Sequence, residues 1–237
     1  MPPLGTVVGQ QFGWRATFLA IAILATVALT FLVKLVPVRS MTAAGSVIGE
    51  LRVLKGRDLQ LALAMTAMGN AGVLMVFIYL APCLTEIGGF SPGTIPMLLL
   101  VYGVGATLGN LVGGWLSDRA LMPSIIGLLI ALAISLAMFQ FVARFQVPAA
   151  VMVFAIGALA FSIIPGMQTR VLVTATAAPT LGIALNASGF QISAAFAAWL
   201  GGVVIDNGPG LNFLALVAAL LTAIGVLVAF ISWMRDS

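Results

Sequence analysis

Residues 109–119 read Gly-Asn-Leu-Val-Gly-Gly-Trp-Leu-Ser-Asp-Arg, an apolar run stepped by glycines that stops abruptly at Asp118 and Arg119. Such a stop carries weight only where charge is scarce. Here 7% of the 237 residues are charged, 62% are hydrophobic and the mean hydropathy is +1.22, whereas soluble domains carry about 25% charged residues. The stretch therefore reads as a helix leaving a bilayer at its water boundary, and the chain as an all-α integral membrane protein.

Working outward from that boundary, a span needs about 20 mostly apolar residues. Seven stretches qualify: Ala16–Pro37, Leu59–Leu84, Gly93–Leu116, Leu121–Val142, Val147–Val171, Leu181–Ile205 and Leu211–Trp233. Between the later spans lie short breakers, among them Gly88-Gly89, Ser91-Pro92-Gly93, Ala178-Pro179 and Asp206-Asn207-Gly208-Pro209-Gly210. Short loops make neighbouring helices antiparallel. The exception is Val38–Asp58, a linker holding Arg39, Glu50, Arg52, Lys55, Arg57 and Asp58. The first span lacks the basic n-region and small-residue cleavage site of a signal peptide, so it is expected to be a permanent helix. No run of alternating residues supports a membrane β-barrel.

Composition also excludes functions. The chain has no histidine and one cysteine, Cys83, which removes imidazole acid–base chemistry, His-rich zinc sites and an internal disulfide. No metal site, cofactor or catalytic residue is expected. The net charge of +4 reports loop orientation in a membrane protein rather than a nucleic-acid partner. Gly103, Gly105 and Gly109 approach a dinucleotide fingerprint, but the last glycine is one place late and no strand precedes it.

With seven spans, Lys34, Arg39, Arg52, Lys55, Arg57, Arg119, the turn after Arg170 and Arg235 share one side, against Arg15 and Arg144 on the other. The positive-inside rule makes the first side cytoplasmic, with the C-terminus inside and Met1 outside. The short apolar piece before Arg15 then reads as the outer end of an earlier helix, so the sequence is expected to be part of a larger chain.

At this point motifs carry a resemblance. Gly114-Trp115-Leu116-Ser117-Asp118-Arg119 resembles the first half of the G-x-L-x-D-R signature of major facilitator transporters, in its weaker second copy, because Ala120-Leu121-Met122-Pro123 replaces the glycine and basic residues that end the first. Phe12-Gly13-Trp14-Arg15-Ala16-Thr17-Phe18 resembles the start of that family's sixth helix, and Ile164-Pro165-Gly166-Met167-Gln168-Thr169-Arg170 the end of its tenth. Leu185-Asn186-Ala187-Ser188-Gly189-Phe190-Gln191, with Trp199-Leu200-Gly201-Gly202, is similar to the eleventh helix of arabinose-efflux-like and chloramphenicol-resistance-like antiporters. The resemblance implies helices 6–12 of a twelve-helix fold. On it, residues 1–37 hold the tail of helix 5 and helix 6, 38–58 the cytoplasmic central linker, and 59–237 the C-terminal six-helix bundle. It further implies an inner-membrane antiporter that exports small organic solutes of drug, sugar or nucleoside type, with a gate at Gly114, Asp118 and Arg119, where a helix dipole favours the carboxylate.

The residues themselves nominate a site. Gly105, Gly109 and Gly113, and likewise Gly189, Ser193, Ala197 and Gly201, recur every four residues and are expected to pack helices closely. Polar side chains inside spans are costly without partners, which singles out Asn70, Tyr102, Asn110, Gln168, Asn186, Ser188 and Gln191 as cavity candidates, interhelical hydrogen bonds being the alternative. Ser188 and Gln191 are expected on one face of their helix, opposite the small-residue stripe. No Asp or Glu lies mid-span, so a proton site is expected in an N-terminal half that this chain lacks, and the chain alone is expected to be inactive. That half, from the same gene or a separate chain, the bilayer and a small-molecule substrate are the expected partners. The competing function is a helical membrane scaffold without transport. A membrane enzyme is disfavoured by the lack of a buried nucleophile and base.

Overall fold

The computed structural model describes residues 14–35, 56–208 and 210–236. Expectations for residues 1–13, which include the first two positions of the Phe12–Phe18 motif, and for most of the linker, residues 36–55, lie outside the described residues. Among the described residues seven helices are long and apolar enough to cross a membrane, and none of those residues forms a strand.

Helix α1, Trp14–Leu35, belongs to one compact unit, residues 1–47. Its two central hydroxyls, of Thr26 and Thr30, donate back to the carbonyls of Ala22 and Thr26 at 2.8 Å, so neither needs an outside partner in an apolar setting.

The second unit is a bundle of six helices: α2 Arg57–Ile78, α3 Ile95–Arg119, α4 Leu121–Val142, α5 Gln146–Thr174, α6 Pro179–Asp206 and α7 Leu214–Asp236. Helix α2 therefore starts at Arg57, inside the stretch assigned to the linker. It continues through Leu80–Pro82 into a wider π-type turn, Cys83–Ile87. Chain reversal follows at Gly89, whose φ of +63° lies in the left-handed region that favours glycine, and Phe90 N–H closes the end on Leu84 O at 3.0 Å.

Glycines set the closest contacts. A Cβ on Gly105, Gly109 or Gly113 of α3 would overlap the α5 backbone at Phe154, Ala158 or Ser162, and one on Gly157 would overlap Tyr102 in return. The α3 stripe therefore brings two backbones together, as its spacing predicts. Helix α2 runs between α6 and α7. Toward α7, a Cβ on Gly225 would stand 2.7 Å from Gly69 Cα. Toward α6, Ser193 Oγ donates to Ala67 O at 2.6 Å and Tyr79 OH to Ala198 O at 2.8 Å. Ala197 is buried and Gly201 fits against the Tyr79 ring. Gly189 departs from its expected role, because none of the described residues lies within 4 Å of where its Cβ would be. The α6 stripe begins to pack only at Ser193.

The two ends of the bundle differ. At one, Arg235 Nε meets Asp58 Oδ1 at 3.5 Å, joining the end of α7 to the start of α2. At the other, Glu86, Arg144 and Asn212 line a shallow cleft. Arg170 lies in α5, as the Val147–Val171 span places it, yet it is buried rather than solvated at the membrane surface, and it donates from Nη2 to Ser232 Oγ of α7 at 2.9 Å. A long side chain one turn from a helix end can reach a polar partner on a neighbouring helix instead of solvent.

Candidate substrate cavity

Between α2, α5 and α6 lies a cavity of about 440 Å³, within the usual range for small-molecule sites of roughly 300–1,000 Å³. Helix α2 supplies Thr66 and Asn70, one turn apart; α5 supplies Met167 and Gln168; α6 supplies Asn186 and Gln191. The rest of the wall is aliphatic or aromatic, including Phe190, and none of the described residues that line it is charged. On α5 and α6 these positions fall in the half nearer the Asp58–Arg235 end, and on α2 they straddle the middle of the helix.

The polar groups are not equivalent. Thr66 Oγ1 donates to Ala62 O at 3.2 Å within its own helix. Asn70 is buried, and its Nδ2 donates to Thr66 O at 2.7 Å and reaches Met167 Sδ at 3.5 Å. The Asn186 Oδ1 atom is buried with no hydrogen-bond partner. Gln168 and Gln191 are exposed. The structure thus brings together Asn70, Gln168, Asn186 and Gln191.

The other three nominated residues stand apart. Tyr102 is buried against Phe77, with ring centroids 5.0 Å apart, and edge-on to Phe161 at 6.4 Å. Asn110 is exposed on α3 and does not line the cavity. Ser188 is exposed, and its hydroxyl donates to Ala184 O at 3.0 Å. It parts from Gln191 because the α6 wall follows residues 183, 186, 187, 190 and 191, a helical stripe whose period leaves position 188 to one side. Thr66 and Met167 went unnominated. A threonine bonded to its own helix and a buried methionine look like ordinary packing in a sequence.

The Gly114, Asp118 and Arg119 motif ends α3. Nothing lies within 4 Å of a Cβ placed on Gly114, so this glycine serves no close contact within the described residues. Asp118 is exposed, two residues before the break at Ala120. The Arg119 guanidinium lies 3.4 Å from the centroid of the Trp115 ring, one turn back on the same helix, a cation–π contact. Ala120, at φ −153° and ψ 88°, is the one non-helical residue between α3 and α4, and Ser124 Oγ braces the corner by donating to Leu116 O at 2.8 Å.

Comparison with known proteins agrees with this architecture. The Major Facilitator Superfamily model matches residues 1–179. The chain is 33% identical to the uncharacterized MFS-type transporter YtbD of Bacillus subtilis, over 98% of this chain and 59% of YtbD. It is 32% identical to the inner membrane transport protein YdhP of Escherichia coli (97% of this chain, 59% of YdhP). It is also 32% identical to the chloramphenicol resistance protein of Streptomyces lividans (96% of this chain, 59% of that protein). The chain thus spans about three fifths of the length of these relatives. Seven apolar helices, a glycine-packed bundle and matches of this extent lead to one conclusion: the chain belongs to the major facilitator superfamily of membrane transporters.

Proposed function

We propose that this chain forms the second half of a secondary transporter that exports small organic solutes across a bacterial inner membrane by alternating access and proton antiport. The observation that carries this reading is the cavity, where four amide side chains from three helices converge among apolar walls. Transporters of this kind place their site between two helical halves and move by rocking one against the other, so a complementary unit that supplies the first five helices, from the same gene or another chain, is the proposed partner. The drug type of solute is favoured by the likeness to a chloramphenicol resistance protein, and the inner membrane by the likeness to YdhP. The cytoplasmic side is assigned to the Asp58–Arg235 end, which carries Arg57, Arg119 and Arg235 against Arg144 at the other. No acidic side chain lies mid-span among the described residues, so the coupling carboxylate is assigned to the partner unit, and the chain alone is assigned no active transport. Chemical catalysis is no part of this function.

The test is chloramphenicol accumulation in cells that make this chain together with the first five helices of its Streptomyces relative. Lower accumulation than with either part alone, restored by Asn70→Leu, is the expected result. Unchanged accumulation in every combination, with both parts present in the membrane, would reject transport in favour of a scaffold.

A further inference from the structure

We infer that the turn between α3 and α4 sets the position of the cavity wall on α5, with Gly166 as the point of contact and Pro165 as the point of bending. The inference rests on the reading of the cavity as the solute site and adds what controls its width. Four observations support it.

The seam between α3 and α5 changes hands at its inner end. Gly105, Gly109 and Gly113 of α3 face the α5 backbone at Phe154, Ala158 and Ser162. One turn further the glycine lies on α5: a Cβ on Gly166 would stand 2.7 Å from Ser117 Oγ and 2.8 Å from Ile125 Cγ1. Ser117 precedes the non-helical Ala120 and Ile125 follows it, so both arms of the turn bear on one residue. Packing this dense passes a displacement on instead of absorbing it.

No hydrogen bond locks the contact. Ser117 is buried, and its Oγ has no hydrogen-bond partner among the described residues. Gly166 offers no side chain. The turn is thus held against α5 by shape, and a change of shape at Ser117 moves its neighbour.

Helix α5 is weakest beside the point of contact. Pro165 lies inside the helix and, having no N–H, cannot complete the helix bond to Phe161 O. Helices bend at such positions. Their apolar partners divide nearby as well: Ile156, Ile163 and Met167 belong to the main core, whereas Val171 and Ala175 pack with Leu59 and Ala62 in a separate cluster. The inner end of α5 therefore has a small core of its own, apart from the seam.

The contact is aimed at the cavity. At about 100° per residue, Gly166 lies roughly 160° around α5 from the wall residues Ile164 and Gln168. Pressure from the turn on Gly166 then drives the wall inward and narrows the cavity, and its release widens it.

The reporter is the thiol of Gln168→Cys in a Cys83→Ala background, with the full chain in nanodiscs, and the measurement is its rate of labelling by N-ethylmaleimide. Ser117→Val thickens the α3 side of the contact and should slow labelling by about two- to thirty-fold, the range for coupling carried through packed residues. Ser117→Ala, which adds no bulk and leaves the fold unchallenged, should speed it. Thr107→Val, on the exposed face of α3, should leave the rate unchanged. In a Pro165→Ala background, where the helix bond can form, Ser117→Val should change the rate by less than about two-fold. Unchanged rates in both Ser117 variants, or an equal change in Thr107→Val, overturn the coupling. A full effect in the Pro165→Ala background overturns the bending point. These outcomes leave the cavity as a solute site, whereas no labelling of the parent thiol at all overturns the cavity reading and this inference together.

Discussion

Helix α5 meets its two neighbours in opposite ways. Against α3 it lies backbone to backbone, at distances that only glycines at positions 105, 109 and 113 allow. Against α6 it diverges, and the gap holds the amides of Gln168, Asn186 and Gln191. In lipid there is no hydrophobic force between helices, since the tails are as apolar as the side chains. Close packing must then come from small residues, and where these give way to amides the helices separate. One helix thus presents a seam and a wall.

The largest effect should come from breaking the seam. Gly109→Leu drives a side chain into the Ala158 backbone, which cannot yield as a side chain would, and should destabilise the bundle by about 3 kcal/mol or more. Gly114→Ala, five positions on and facing open space, should be neutral or stabilising by up to about 1 kcal/mol through helix propensity. Thermal unfolding of both variants in one detergent decides. Comparable losses would mean that the seam is not where the stability lies.

A middle-sized effect probes the far side of α2. Ser193→Ala removes the 2.6 Å bond to Ala67 O, and double-mutant values for interhelical bonds in membranes place the loss at about 0.6–1.7 kcal/mol. Urea-dependent unfolding measures it. An unchanged midpoint would show that shape alone holds α6 to α2.

The smallest effect belongs to the end of the bundle. Asp58 and Arg235 are 58% and 44% exposed, so Asp58→Asn should cost no more than about 0.5 kcal/mol, and less in high salt. A larger, salt-insensitive loss would give this pair a structural part that the seam was thought to play.

What the sequence makes legible follows from the same contrast. All seven spans are visible because length and apolarity suffice to place them, and the α3 seam is visible because glycine every fourth residue has few other uses. The cavity is only half visible. Asn70, Gln168, Asn186 and Gln191 stand out as polar groups in apolar helices, yet so do Asn110 and Ser188, which lie elsewhere. Apolar residues on all sides of a helix leave no amphipathic signal to say which face is inward. For the same reason Gly189 extends the α6 stripe in sequence but packs against none of the described residues, and Arg170, counted among the basic groups at one membrane surface, turns inward to Ser232.

The corner at Ala120 has a mechanical consequence. Between α3 and α4 only the two backbone torsions of one residue are non-helical, since peptide planes do not twist, and the Ser124 hydroxyl clamps the joint. Helix α4, with 22 residues, is a lever arm of about 33 Å at 1.5 Å per residue. Each degree of rotation at the elbow displaces its far tip by ~0.6 Å on that length. Five degrees at Ala120, where residues 109–119 end, would then become ~3 Å at the far end of α4, with almost no slack in between.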